Sequence, residues 1–350
     1  MSPVETVELA PGYRISRLLR GGWQLAGGHG PVETERAIAD MAAFLDAGVT
    51  TFDCADIYTG VEEMIGRFRA RIAAERGREA LAGFKVHTKF VPDWDALPTL
   101  DRAYVRAVVE RSLQRLGMDR LDLVQFHWWN YEVTRAVEVA LMLKELQAEG
   151  KIDRIGATNF DTPHTRALLD AGVPLVSMQV QYSLLDRRPE HALVGLCAER
   201  GVKLLCYGTV AGGFLSERWL GAPEPLEPSA NRSLVKYKLI LDDFGGWPLF
   251  QELLEILRDI GRKHGASVTA VATRWVLDRP QVAGVIVGAR YADHLAENLN
   301  AFRFALDDVD RAAIDAVLAR RRGPEGDTYT LERDRDGRHG RIMNYNLNRA

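Results

Sequence analysis

Cysteine is scarce in this sequence. Cys54, Cys197 and Cys206 are the three in 350 residues, too few and too irregularly spaced for a disulfide framework or a zinc site. They read as reduced, buried thiols, and no histidine lies near Cys54 in sequence to activate it as a nucleophile beside Asp53. Nor does any pair of histidines at helical or strand spacing point to a metal. Apolar runs of eighteen residues are missing too, and residues 1–10 are acidic without the charged-then-apolar pattern of a signal. The expectation is a cytoplasmic chain that meets no membrane. A basic excess is likewise absent: the formal net charge is −3, with basic residues scattered, which leaves no nucleic-acid footprint. The one basic run, Arg320, Arg321 and Arg322, is followed by Glu325 and reads as a solvated helix end. Finally, the glycine-rich stretch Gly21-Gly-Trp-Gln-Leu-Ala-Gly-Gly28 contains no G-x-G-x-x-G, so the usual dinucleotide fingerprint is excluded. Glycines there instead let the backbone turn tightly or approach something flat.

What is present is a rhythm. Residues 5–17 alternate apolar and polar around Pro11 and Gly12, which predicts a hairpin able to plug one end of a barrel. Strand patterns follow at 15–19, 49–52, 84–88, 121–126, 152–158, 174–180, 202–207 and 282–287. Between them lie helical patterns at 33–47, 61–74, 104–116, 133–147, 163–171 and 190–200, each with apolar residues on one face. Short connections between alternating strands and helices specify a parallel sheet with helical crossovers. Eight such units without a composition break predict a closed (β/α)8 TIM barrel with an N-terminal β-hairpin, one domain over residues 1–322. Two stretches interrupt the rhythm. Residues 208–246 carry Pro223, Pro225 and Pro228 and read as a long loop, functional or disordered. Residues 323–350 form a charged C-terminal extension that retains Tyr329, Met343 and Tyr345, open between a loose terminus, a lid over the barrel mouth and an oligomer contact.

In such a barrel, residues just past the carboxyl ends of the strands converge on one face. Asp53, Lys89 and His127 stand at the ends of the second, third and fourth barrel strands, and Tyr58 sits on the loop after the second. A buried carboxylate such as Asp53 requires a partner, and Lys89 supplies one. A free phenol, with a pKa of about 10, is a poor acid near neutrality. An ammonium beside it favours the phenolate and lowers that value, while Asp53 keeps the ammonium charged and oriented. His127 is positioned to hydrogen-bond a carbonyl oxygen or to assist a proton relay. The set suits delivery of a proton to a C=O as a hydride arrives at carbon.

These residues resemble the aldo-keto reductase family. The match includes Phe52-Asp-Cys-Ala-Asp-Ile-Tyr58, Thr88-Lys89 and Leu121-Asp-Leu-Val-Gln-Phe-His127. It continues through Gly156-Ala-Thr-Asn159, Gln179-Val-Gln-Tyr182 and Val287-Gly-Ala-Arg-Tyr-Ala-Asp-His-Leu-Ala-Glu-Asn298. The resemblance implies a barrel that binds NADPH (NADP+ when oxidised), with NADH open as a second cofactor. By position, Tyr58 would be the general acid and Asp53, Lys89 and His127 would complete the tetrad. Thr158, Asn159 and Gln179 would hold the nicotinamide carboxamide, and Tyr207 would stack on the ring. Gly208 and Val210 match pyrophosphate contacts. Gly288, Arg290, His294, Glu297 and Asn298 match the adenosine-phosphate region, with Trp23 beside the cofactor. Thr158 stands for the family's usual serine, Gly208-Thr209 for a common Ser-Pro, and His294 for an arginine or glutamine.

Trp23, Trp128 and Trp129 offer aromatic walls for an aromatic, alicyclic or sugar-like carbonyl or alcohol substrate. Two alternatives stay open. Lys89 could attack a carbonyl as a Schiff-base lyase, which borohydride trapping detects. The chain could also be a nucleotide-binding regulatory subunit that turns over slowly. An oligomer is compatible with the sequence.

Overall fold

The computed structural model describes residues 4–27, 30–226 and 231–348. Gly28 of the glycine-rich stretch and Pro228 of the long loop lie outside the described residues. Eight parallel strands close into a barrel in chain order. They are β3 (Leu18–Gly21), β4 (Thr51–Asp53), β5 (Lys85–Phe90), β6 (Leu121–Phe126), β7 (Ile152–Thr158), β8 (Leu175–Gln181), β9 (Lys203–Tyr207) and β10 (Val282–Gly288), with β10 pairing β3. Ahead of them, β1 (Thr6–Ala10) and β2 (Tyr13–Ser16) form an antiparallel hairpin. Its Leu9, Tyr13 and Ile15 pack with Leu19, Leu123, Leu205 and Ala283 from the barrel strands. The hairpin thus closes the amino-terminal end of the barrel and leaves the carboxyl end for chemistry.

Helices form the outer ring, for local reasons. In α1 (Thr34–Asp46), Ala37, Ile38, Met41 and Phe44 recur on one face and are buried, the spacing that an amphipathic helix requires. α2 (Val61–Arg76) and α3 (Arg102–Leu116) follow, and Asp101 caps α3 by accepting the Tyr104 N–H at 2.8 Å. α4 (Ala136–Ala148) and α5 (Thr162–Asp170) continue the ring, with Asp161 accepting the His164 N–H at 3.0 Å. α6 is Leu193–Arg200. It begins a turn later than the apolar pattern implies, because Pro189 and the buried Arg188 sit in a 3-10 turn ahead of it. Gly22 has no room for a side chain: a Cβ there would lie 2.7 Å from Val61 and 3.1 Å from the Asp53 carbonyl. This close approach seats the first βα loop against the end of β4.

The stretch 208–246 corrects the sequence reading. It is no extended loop but carries α7 (Arg232–Phe244), whose Tyr237, Ile240, Leu241 and Phe244 are buried. Asn231 caps it by accepting the Ser233 N–H at 2.9 Å. α8 (Gly246–His264), α9 (Val268–Leu277), α10 (Leu295–Asn300) and α11 (Asp308–Leu318) complete the ring. No helix among the described residues is long and apolar enough to cross a membrane.

Residues 323–348 run across the carboxyl face and contain the short α12 (Thr330–Arg333). Arg333 donates to the Trp128 and Asn159 carbonyls, both at 2.7 Å. Trp94 N–H donates to the Tyr345 carbonyl at 2.9 Å, and Asn348 Nδ2 to that of Val91 at 2.8 Å. Glu332 forms a buried pair with Arg188 at 2.9 Å, and Arg188 in turn pairs with Asp186 at 2.7 Å.

Candidate active site

Strand register brings the predicted residues to one level. Gly21 pairs with Asp53, Lys89 with Gln125, and Thr158 with Gln179. Asp53 ends β4 and is buried. Its Oδ2 accepts from Lys89 Nζ at 2.7 Å, and its Oδ1 from Gln179 Nε2 at 2.6 Å and Gln125 Nε2 at 2.9 Å. Lys89 also donates to the Cys54 carbonyl at 2.8 Å. Tyr58 is fixed by backbone turns, its N–H donating to Ala55 O and its own carbonyl accepting from Val61 N–H, both at 3.0 Å. Its ring centroid lies 4.9 Å from Lys89 Nζ and 5.1 Å from that of Trp23.

The electrostatics differ in two respects from the sequence reading. Burial raises the Tyr58 phenol above its ordinary value, and the lowering by Lys89 does not overcome it. Burial also penalises the Lys89 ammonium, but Asp53 and Tyr58 outweigh that and hold it charged. The site therefore pairs a firmly protonated phenol with a firmly charged lysine. His127 follows β6, and burial, with Arg333 adding to it, pushes the ring down to about 3, so the imidazole is neutral. Its Nδ1 lies 3.0 Å from the Thr158 carbonyl, and a carbonyl only accepts. Nδ1 therefore carries the proton, and Nε2, which has no partner among the described residues, presents a lone pair. Donation from His127 to a carbonyl oxygen, expected above, is not available from this tautomer. Cys54 is buried, and burial pushes its thiol well up, which removes it as a nucleophile.

A continuous cavity of about 930 Å³ extends from this cluster across the carboxyl face. Trp23, Asp53, Tyr58, Lys89, His127 and Trp129 line it at the barrel mouth. Thr158, Asn159, Gln179, Tyr207, Gly208 and Val210 line it alongside, and Gly288, Arg290, His294, Glu297 and Asn298 also contribute to its wall. Gln179 spends its amide N–H groups on Asp53 and on Gln125 Oε1 at 2.9 Å, so its own oxygen is what it has to offer a ligand. Tyr207 donates to Asn159 Oδ1 at 2.9 Å. Gly208 has a φ of +71°, and a Cβ there would meet the Tyr237 hydroxyl at 2.2 Å; glycine is needed both for the turn and for the space. His294 is largely exposed, with Nδ1 3.6 Å from Glu297.

Trp128 is a correction. It is fully buried and donates from Nε1 to the carbonyls of Asn130 at 2.8 Å and Val133 at 3.0 Å. It packs against Phe126 and is not part of the cavity wall. Adjacent residues leaving a strand end diverge, and Trp129 took the cavity side, edge-on to His127 at 4.2 Å.

Several site residues escaped sequence reasoning. Gln125, which does not line the cavity but holds Asp53, had a signal, a polar residue within an apolar strand. Lys236 and Tyr237 on α7, and Tyr329, Met343 and Asn344 of the tail, lie far along the chain from the tetrad. Among the described residues no cluster of three or more His, Cys, Asp or Glu is placed to hold a metal.

The sequence profile described as "Aldo/keto reductase family" matches residues 17–319. Flagellar radial spoke protein 5 of Chlamydomonas reinhardtii is 29% identical over 302 residues, covering 69% of this chain, which spans 56% of that longer protein. The NADH-specific methylglyoxal reductase of Escherichia coli K12 is 27% identical over 309 residues, covering 85% of this chain and 92% of that one. Among solved structures, the glycerol dehydrogenase AKR11B4 from Gluconobacter oxydans superposes with a TM-score of 0.72 at 26% identity. That superposition covers 91% of this chain and 96% of the other. With its closed parallel barrel, its N-terminal hairpin and a profile match over nearly its whole length, this chain belongs to the aldo/keto reductase family of oxidoreductases.

Proposed function

We propose that this protein reduces an aldehyde or ketone to the alcohol, or runs the reverse oxidation, with Tyr58 as general acid and base. Membership of the family brings a nicotinamide cofactor, NADPH or NADH. The observation that carries the reading is the protonated Tyr58 phenol beside the Lys89–Asp53 pair, inside a cavity that also reaches Arg290 and Asn298. The residues fit such a cofactor. Asn159, the Gln179 oxygen and Thr158 offer polar partners for a carboxamide, and Tyr207 a flat face. Gly208 and Val210 line the stretch of cavity where the pyrophosphate would lie. Arg290 would meet the adenosine phosphate as a charged fork, which favours NADPH.

When bound, the nicotinamide supplies or accepts the hydride. The chain's own residues do the rest. Tyr58 donates its proton to the carbonyl oxygen as negative charge develops there. Lys89, fixed by Asp53 and the Cys54 carbonyl, stabilises the phenolate left behind. Gln125 and Gln179 hold Asp53 in place by two further hydrogen bonds. The lone pair on His127 Nε2 accepts from a hydroxyl, either of a hydroxylated substrate or of the alcohol product. Trp23 and Trp129 form the substrate walls. Tail residues 323–348 act as a lid that excludes water from this end of the cavity.

The Schiff-base alternative is disfavoured, since a lysine held charged is a poor nucleophile. Nothing specific favours the regulatory reading. The test is carbonyl-dependent oxidation of NADPH, and separately of NADH, across aldehydes, ketones, quinones and keto-sugars. Turnover with NADPH preferred is expected; binding of neither nucleotide would sink the reading.

A further inference from the structure

Lys236 lies on α7 and lines the cavity. Its ammonium sits among three phenol rings, 5.2 Å from the centroid of Tyr207 and 5.6 Å from those of Tyr237 and Tyr329. Among the described residues it has neither a hydrogen bond nor an ion pair. The two carboxylates that influence it are already spent. Arg188 grips Asp186 at 2.9 and 2.7 Å and Glu332 at 2.9 and 3.0 Å, and Gln181 adds a bond to Asp186 at 2.6 Å. Arg333, the third cation nearby, is occupied by the backbone carbonyls after β6 and β7. Both carboxylates are thus turned to Arg188, and the Lys236 ammonium is left without a directly bonded anion.

Burial lowers the Lys236 ammonium below its ordinary value, Glu332 and Asp186 oppose that, and Arg188 adds to it. A cation in such surroundings is costly unless an anion meets it. The hydroxyls of Tyr237 and Tyr329 also lack hydrogen-bond partners among the described residues, so two neutral donors accompany the charged one. Tyr329 stands edge-on to His127 at 5.7 Å. The unpaired ammonium is therefore one aromatic ring away from the tetrad.

We propose that Lys236, with the hydroxyls of Tyr237 and Tyr329, forms an anion subsite that takes the carboxylate or phosphate of the carbonyl substrate. The substrate class is then an oxo-acid or a phosphorylated aldehyde or ketone. This rests on the carbonyl-reductase reading above for its kinetics, but not for its binding test.

Kinetics are read on matched pairs: 4-oxobutanoate against its methyl ester for the carboxylate, and glyceraldehyde 3-phosphate against glyceraldehyde for the phosphate. The wild-type enzyme should favour the charged member of at least one pair. Lys236→Met should lower kcat/KM for that member by about tenfold to a hundredfold, the worth of a charge-assisted hydrogen bond. The uncharged member should change by less than about threefold, on the same scale. Lys236→Arg should retain most of the discrimination, which also controls for misfolding.

Binding is read separately by titration calorimetry of succinate and of inorganic phosphate into the NADP+-saturated protein. Tighter binding to wild type than to Lys236→Met supports the subsite even if no carbonyl is turned over. Three results overturn it: equal anion binding by both proteins, equal losses for charged and uncharged substrates, or weaker NADP+ binding with unchanged charge discrimination. The last would assign Lys236 to the cofactor's phosphates.

Discussion

At the scale of single residues, Tyr58 and His127 have opposite requirements, and burial serves both. It keeps the phenol protonated and the imidazole neutral. Because the Tyr58 value is raised, its proton is present throughout the neutral range and is lost only as pH rises past the ordinary tyrosine range. Because that of His127 is lowered to about 3, no step near pH 6.5 is expected from it. The pH profile of kcat/KM for carbonyl reduction should therefore be flat through neutrality and fall only on the alkaline side; a sigmoid centred near an ordinary histidine would contradict this. Trp128 and Trp129 separate just as clearly. Trp128→Ala should cost about 3–5 kcal/mol of stability, as removal of a buried indole does, read by urea unfolding. Trp129 is buried too but lines the cavity, so Trp129→Ala should in addition raise KM, which Trp128→Ala should not. The convergence of Asp53, Tyr58, Lys89 and His127 was legible in the sequence because each ends a strand or follows one closely. The divergence of the two tryptophans was not, since both are aromatic, both follow β6, and only packing tells them apart.

At the scale of elements, the barrel was legible and the parts that cover it were not. Strand and helix periodicities placed all eight barrel strands to within a few residues. α7 was hidden behind Pro223, Pro225 and Pro228, although Tyr237, Ile240, Leu241 and Phe244 recur at helical spacing. The tail's partners are the loops after β5, β6, β7 and β8 and Asp243 on α7, and no local pattern encodes pairings so distant in sequence. One buried ion pair anchors it. Glu332→Gln removes a charge from the Arg188 cluster, and breaking such a pair costs about 3–5 kcal/mol. Limited proteolysis should then cut within residues 323–348 well before the barrel. Unchanged protection of the tail would show that its remaining contacts, among them Arg333, His339 with Asp243 and Asn348 with Val91, suffice to hold it.

At the scale of the whole molecule, the hairpin closes one end of the barrel and the tail crosses the other. Cavity chemistry and global stability meet in that tail. Burial would raise the Glu332 carboxyl, but Arg188 outweighs it and holds it down to about 2. A carboxylate depressed in the folded state stabilises fully above its unfolded value and loses that contribution as pH falls through its folded one. Stability should accordingly decline between about pH 4.5 and 2, and Glu332→Gln should flatten that part of the curve, measured by thermal unfolding against pH. The central claim is that Tyr58 delivers the proton while other residues hold the cofactor. Its most direct test compares Tyr58→Phe with wild type in two readouts, NADPH affinity by fluorescence titration and carbonyl-dependent NADPH oxidation on one accepted substrate. NADPH affinity should stay within about threefold, while kcat falls by roughly 10²–10⁴, the worth of a positioned general acid. A variant that turns over at the wild-type rate would contradict the assignment of Tyr58.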